Sequence, residues 1–283
     1  MRITRRNFLK GSLATLFLAG SGIPVYSSTK TKKNLVVVML RGGMDALCAV
    51  PVIGDKDFEK RRKHLILDNT IKLNSDFALH PVLKSFHELW KEKKGTVVHA
   101  TNIPYTERSH FDGQNLMESG GKIPYKVKTG WLGRGMKVAG LKQEGLALAL
   151  PMPLLLRGVP QNNNYFPTKG KLPTDKVLSL LKDVYKDSSE DELIGMLEII
   201  KSRPKERSYA ADDLYSLANE AGTLMKEPDG PRVAVFEVGG FDTHAAQGGV
   251  HGTHSDCLKD MDLIFATLKK RLKEEFDNTL IVT

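Results

Sequence analysis

Leu35-Val36-Val37-Val38-Met39-Leu40-Arg41-Gly42-Gly43-Met44-Asp45 is the stretch that decides the fold. Its six apolar residues do not alternate with polar ones. A strand of this kind has no wet face, which is the pattern of a parallel sheet covered on both sides. Two glycines and an aspartate then turn the chain out of the strand. Downstream, Val82, Leu83, Phe86, Leu89 and Trp90 recur at helical spacing between Pro81 and Lys94, and Gly95 supplies a stop. Thr96-Val97-Val98-His99-Ala100 reads as a second strand, followed by a polar loop and a helix near Phe111–Glu118. Leu146–Leu150 is a third apolar run, closed by Pro151. The stretch from Thr174 to Met225 reads as several helices broken near Ser188 and Pro204. Arg232–Val238 is the next strand, ended by Gly239 and Gly240. A helix from about Thr253 to Glu275 and a strand at Thr279–Thr283 complete the pattern. Strands alternating with helices predict an α/β domain, with a mostly parallel sheet and helices on both faces.

Composition agrees. With 283 residues and 41% hydrophobic content, the chain can bury a real core, so wholesale disorder is excluded. Its 25 Gly and 13 Pro rule out a collagen-like chain, and no fixed-period repeat points to a solenoid. Two cysteines, Cys48 and Cys257, are too few for a disulfide miniprotein or a Cys-rich zinc module, and free buried thiols are expected. Lys and Arg number 42 against 33 Asp and Glu, a net +9; Arg2, Arg5, Arg6 and Lys10 supply four of those charges, leaving +5. The remaining basic residues are interleaved with acids, as in Lys56-Asp57-Phe58-Glu59-Lys60. That pattern is a solvated surface, and no nucleic-acid partner is expected.

Residues 1–27 read as an export signal. Thr4-Arg5-Arg6-Asn7-Phe8-Leu9-Lys10 has the twin-arginine pattern and no acid. The apolar run Leu13–Val25 is short and interrupted by Gly20, Gly22 and Pro24, so no stable transmembrane span is expected. Val25-Tyr26-Ser27 offers a small-residue cleavage site. The expected partner is the twin-arginine translocase, and the expected location is the periplasm or outside the cell.

In parallel α/β sheets, sites form outside the carboxyl ends of the strands. Three loops qualify: Arg41–Asp45, Thr101–Asp112 and Gly239–His244. Asp242 and His244 lie two apart on a Gly-preceded turn, where a carboxylate and an imidazole can share one zinc, manganese or iron ion. His251 and His254 open the next helix, where each is either a ligand or a structural histidine. Ser109 precedes a short helix, so it is either an N-cap or a nucleophile whose anion the helix terminus stabilises. Arg108 beside it is an oxyanion clamp or a surface charge. His110 is a ligand or a packed ring. Asp45 is a turn residue or a metal ligand. His64, His80, His87 and His99 have no matched partners and read as structural.

Asn34–Asp45, Val97–Ala100 with Tyr105–Gln114, Gly130-Trp131-Leu132 and Gly240–His244 resemble the twin-arginine-exported family called domain of unknown function 1501. That family is similar to the alkaline phosphatase and sulfatase superfamily. The resemblance implies a signal at 1–27 and an alkaline-phosphatase-like domain at 34–283, with a helical insertion about 174–226. It implies Asp45, Asp242, His244 and His254 as ligands of a divalent metal (zinc, manganese or calcium). It also implies Ser109 as nucleophile, with Arg108 beside it, and Thr106 as a weaker choice. In the family, a Ser-Glu-Phe-Gly-Arg segment and an Asp-His pair follow beyond the point matching Thr283, so the sheet and site are expected to be incomplete at the C-terminus. The functional expectation is a metal-dependent hydrolase of small phosphate or sulfate esters. The alternative is a non-catalytic envelope binding protein on the same fold.

Overall fold

The computed structural model describes residues 33–141, 145–165, 174–185, 214–245 and 247–283. The export signal at 1–27 and the helix breaks expected at Ser188 and Pro204 lie outside them. The described elements, in chain order, are β1 (Asn34–Leu40), α1 (Ala46–Ala49), α2 (Lys56–Arg61), β2 (Ile71–Lys72), β3 (Ala78–Leu79), α3 (Lys84–Lys91), α4 (His110–Ser119) and α5 (Trp131–Val138). They continue with β4 (Gly145–Leu148), β5 (Asn163–Asn164), α6 (Asp175–Tyr185), α7 (Leu214–Lys226), β6 (Val233–Val238), α8 (Thr253–Leu272) and β7 (Thr279–Val282). The chain divides into one unit formed by the residues up to Phe166 with Leu217–Thr283, and another over Pro167–Ser216. In the second unit the described element is α6, which exposes Val177, Leu180 and Val184 along one stripe.

The first unit is built on a five-stranded sheet in the order β5-β4-β6-β1-β7, and every pairing is parallel. β1 sits between β6 and β7, with Leu35 opposite Val233, Leu40 opposite Val238 and Val37 opposite Val282. Period-2 geometry sends alternate side chains of β1 and β6 to opposite faces. Val37, Met39, Val233 and Val235 pack with Ala147 of β4, with Leu132 and Met136 of α5, and with Leu155 and Leu156. Val36, Val38, Ala234 and Phe236 point the other way and are equally buried. α8 packs against β6 and α3 and buries Leu258, Ile264 and Leu268. The unbroken apolar run of β1 thus has the cause inferred from sequence, since neither face meets water.

Local chemistry sets several helix starts. Ser109 caps α4 by accepting the Asp112 N–H at 3.2 Å, and Gly120 ends that helix in the left-handed region at φ 64. Asp45 and Asp55 cap α1 and α2 in the same way. α3 has no cap of its own. The buried Asp262 of α8 accepts the N–H groups of Ser85 at 2.9 Å and Phe86 at 2.8 Å, and so caps α3 from another element.

One expected strand does not form. Thr96–Ala100 carries no strand pairing among the described residues, Val98 is 70% exposed, and His99 stacks on Phe77 with ring centroids 4.0 Å apart. An apolar segment becomes a strand only where a neighbour accepts its hydrogen bonds, and here none does. Conversely, the Asn163–Asn164 edge strand carries no apolar pattern, the strands of the antiparallel β2–β3 pair are two residues each, too short to show one, and neither was expected. Cys48 and Cys257 are free and buried, as expected. Among the described residues no helix is long and apolar enough to cross a membrane.

Candidate functional site

The carboxyl ends of β1 and β6 lie side by side, and their loops touch. Arg41 N–H donates to Val238 O at 2.8 Å, and Phe241 N–H donates to Arg41 O at 3.2 Å. Gly42 has φ +110, and an added Cβ there would lie 2.8 Å from the Asp242 Cβ and 3.0 Å from its Cα. Only glycine permits both that backbone angle and that approach. The two loops are therefore held together at Asp242.

Asp242 collects two imidazoles. Nε2 of His244 lies 3.0 Å from its Oδ1, and Nε2 of His110, the first residue of α4, lies 3.6 Å from its Oδ2. The Asp242 and His244 side chains are largely open to solvent. His244 has φ 46, a left-handed angle uncommon outside glycine and concentrated at functional sites. Ser109 directly precedes His110, with its hydroxyl engaged as the α4 cap. Arg108 is exposed, as are Thr106 and Glu107. In the same segment the Tyr105 hydroxyl donates to Asp112 Oδ2 at 3.3 Å.

Asp45 faces other partners. Its Oδ2 accepts from Gln247 Nε2 at 2.9 Å and from Arg62 Nη2, and its Oδ1 accepts the Cys48 N–H at 3.3 Å. Burial pushes the Asp45 carboxyl up, but Gln247 and the Arg62 guanidinium outweigh that and hold it below the usual carboxylate value. His254 is buried, 1% exposed, with the Phe241 ring edge-on at 5.4 Å and no partner on either ring nitrogen. Burial pushes its pKa down, against a smaller upward pull from Asp45. His251 is exposed.

The sequence-derived residues thus fall into two groups. Asp242 and His244 meet with His110, which directly follows Ser109 in the chain. Asp45 and His254 form the other group, both bound to Gln247: its side chain donates to Asp45 and its carbonyl accepts the His254 N–H. Arg62 was hidden in the basic run Arg61-Arg62-Lys63, and Gln247 in a Gly-rich loop, so neither gave a sequence signal.

A further network anchors the helix that carries Ser109 and His110. Arg41 Nη1 donates to Glu118 Oε1 at 2.5 Å and to Gln114 Oε1 at 3.2 Å, both on α4; its Nε donates to Glu237 of β6 at 3.1 Å, and Nη2 pairs with the same oxygen. Glu118 Oε2 also accepts the Leu155 N–H at 3.0 Å. Burial works against the Arg41 charge, but the two carboxylates hold its pKa above the ordinary value. One guanidinium therefore ties β1, β6 and α4 together below the site.

The donor types suit a divalent metal: carboxylate and imidazole together favour zinc or manganese over calcium, which prefers oxygen. The unpartnered nitrogens of His254 fit a ligand that an ion would complete. As the side chains stand, no three His, Cys, Asp or Glu groups among the described residues are gathered closely enough to hold one. Arg62 occupies the Asp45 oxygen that an ion would take. No family model, curated protein or solved structure matches this chain.

Proposed function

We propose that this chain is an exported hydrolase of phosphate or sulfate esters with an alkaline-phosphatase-like fold, akin to the domain of unknown function 1501 family. The observation that carries the proposal is the Asp242 carboxylate set between His110 and His244 at the end of β6, with Ser109 next to His110 at the start of α4. In this reading Asp45, His254, Asp242 and His244 would supply the ligands of the divalent metal, and they would have to close on it from the two places where they now stand. When bound, the metal polarises the ester oxygen and eases deprotonation of the hydroxyl.

The chain's own groups supply the rest. Ser109 Oγ attacks phosphorus or sulfur in line, forming the Oγ–P or Oγ–S bond as the bond to the ester oxygen breaks and that oxygen leaves with the bonding pair. The His110 imidazole takes the hydroxyl proton and passes it to the leaving ester oxygen, and Asp242 stabilises the imidazolium in between. The first N–H groups of α4, including that of Asp112, face the anion once Ser109 releases its cap. Arg108, exposed beside Ser109, offers a planar guanidinium to the remaining oxygens. Water then attacks phosphorus or sulfur and gives a proton to the same imidazole, which passes it to Ser109 Oγ as the Oγ–P or Oγ–S bond breaks.

The test is turnover of a panel of aryl phosphates and sulfates by the full chain purified from cytoplasm and supplied with zinc or manganese. Wild-type turnover is expected, with a loss of about 10²–10⁴-fold in Asp242→Asn and Ser109→Ala. No turnover on any ester would end this reading.

One observation favours the alternative of a non-catalytic envelope binding protein: the Ser109 hydroxyl and both Asp45 oxygens are already engaged inside the protein. In that case Ser109→Ala would leave the cellular phenotype intact.

A further inference from the structure

The interleaving of bases with acids stops after Glu118. From Ser119 to Leu141 the chain holds Lys122, Lys126, Lys128, Arg134 and Lys137 and no acid. All of these basic residues are exposed. The same stretch also exposes large apolar residues: Val138 is 88% exposed, Ile123 56%, Tyr125 50% and Trp131 39%. Apolar side chains open to water among unopposed cations are the pattern of a surface that meets a partner.

Contacts join these residues into one face. Ile123-Pro124-Tyr125-Lys126 is a turn, closed by the Lys126 N–H on Ile123 O at 3.4 Å. Tyr125 holds its third place at φ 60. A turn with proline second and a left-handed residue third favours glycine there, because a side chain is strained. Tyrosine is kept nonetheless, and its N–H donates to Asn115 Oδ1 of α4 at 2.7 Å. The ring, not the turn, gives the reason for the residue. The chain then folds back on the end of α4: Trp131 Nε1–H donates to Met117 O at 3.0 Å, and Arg134 Nη2 donates to Ser119 O at 2.7 Å. An added Cβ on Gly121 would lie 3.3 Å from the Val127 side chain, and one on Gly120 3.4 Å from that of Trp131. Along α5, Trp131, Arg134 and Val138 share one exposed stripe, opposite the buried Leu132 and Met136.

We infer that this face docks onto a bilayer with anionic headgroups, with the lysines on the headgroups and Ile123, Tyr125 and Trp131 in the boundary beneath them. The inference stands apart from the hydrolase reading, since docking needs no turnover. Lysine suits the position because its charge stays with the phosphates while its methylene stem follows the apolar layer. Tyrosine and tryptophan suit it because each has an apolar body and a polar tip. The chemistry excludes two other occupants. A second copy of this face would set lysine against lysine. Exposed Ile123 and Val138 offer nothing to the phosphates of a nucleic acid, whereas acyl chains cover them.

The experiment is co-sedimentation of the full chain with phosphatidylcholine vesicles, with and without phosphatidylglycerol. Wild type should bind the phosphatidylglycerol vesicles and leave them as salt is raised. Lys122→Gln, Lys126→Gln and Lys128→Gln should each weaken binding by about fivefold. Ile123→Ser should weaken it by a similar factor, and so should Tyr125→Gly, which the turn accepts without strain. Lys56→Gln and Lys60→Gln, on α2 where bases alternate with acids, should leave it unchanged. Trp131 reports the contact directly: bromine on the acyl chains should quench its emission, and Trp131→Phe should lose that quenching. The basic segment at residues 1–27 is common to all these chains and cancels in each comparison. No binding to phosphatidylglycerol vesicles, no quenching, or wild-type binding in the lysine variants would each overturn the inference. Equal losses in the α2 variants would overturn it in favour of net charge alone. Losses in the lysine variants with none in Ile123→Ser and Tyr125→Gly would overturn it in favour of a polyanion that needs no apolar layer. Should one variant fail to fold by circular dichroism, the others and the Trp131 quenching still decide it.

Discussion

Replacing Gly42 with alanine tests whether the β1 and β6 loops meet as described. Two penalties act at this position. At φ +110 an L-residue is strained, at about 1–2 kcal/mol. The new Cβ would also press on the Asp242 Cα and Cβ, part of a backbone that cannot rotate away, and overpacking of this kind costs about 1–3 kcal/mol. Gly43 is the internal control: it has φ +84 with nothing within 4 Å of an added Cβ, so Gly43→Ala carries the conformational penalty alone. Gly42→Ala should therefore lose about 2–5 kcal/mol and Gly43→Ala about 1–2 kcal/mol, a gap well within the range of urea unfolding. Both tryptophans, Trp90 and Trp131, lie in the sheet-bearing unit, so their fluorescence reports the relevant transition. Equal losses in the two variants, at unchanged urea dependence, would mean that the loops do not touch and that Asp242 is not set against β1.

Three other outcomes are expected. Asp262→Ala removes the side-chain cap of α3 and leaves two N–H groups without it, which should lower stability by about 1–3 kcal/mol in a urea titration; Asp262→Asn, which keeps one acceptor, should cost less. The pKa values of His80 and His254 are depressed by burial, so the unfolded chain binds their protons first on acidification. Their contribution is complete above 6.5, the ordinary value, and is lost as pH falls through the lower folded values; His254→Gln should flatten unfolding midpoints measured from about pH 8 to 5. Asp45 is also held low in the folded state, so it stabilises above its ordinary 3.8 and loses that contribution in stronger acid. Arg62→Gln should shrink this acid limb, and an unchanged limb would deny the ion pair.

The elements legible in the sequence were those whose signal is local. The β1 run and the runs at β4 and β6 announced buried strands because continuous apolar residues cannot face water. α8 announced itself through periodic apolar residues, and Ser109 through the capping preference of a short hydroxyl side chain. The pairing of Asp242 with His244 was also within local reach, since two residues of one turn share a short stretch of backbone. What failed was anything that needed a partner to exist. Val97 and Val98 have strand propensity but no neighbour, while Asn163 and Asn164 have neither pattern nor propensity and still pair with β4.

The sequence alone thus determined a covered parallel sheet and the strand ends from which its loops emerge. The tertiary structure decided which loops touch, which cation neutralises Asp45, and that Asp262 caps α3 from another element. The reason is physical. Burial and backbone periodicity are properties of a few consecutive residues, whereas an ion pair such as Arg62 with Asp45, or an imidazole left without a hydrogen bond, depends on where distant segments come to rest.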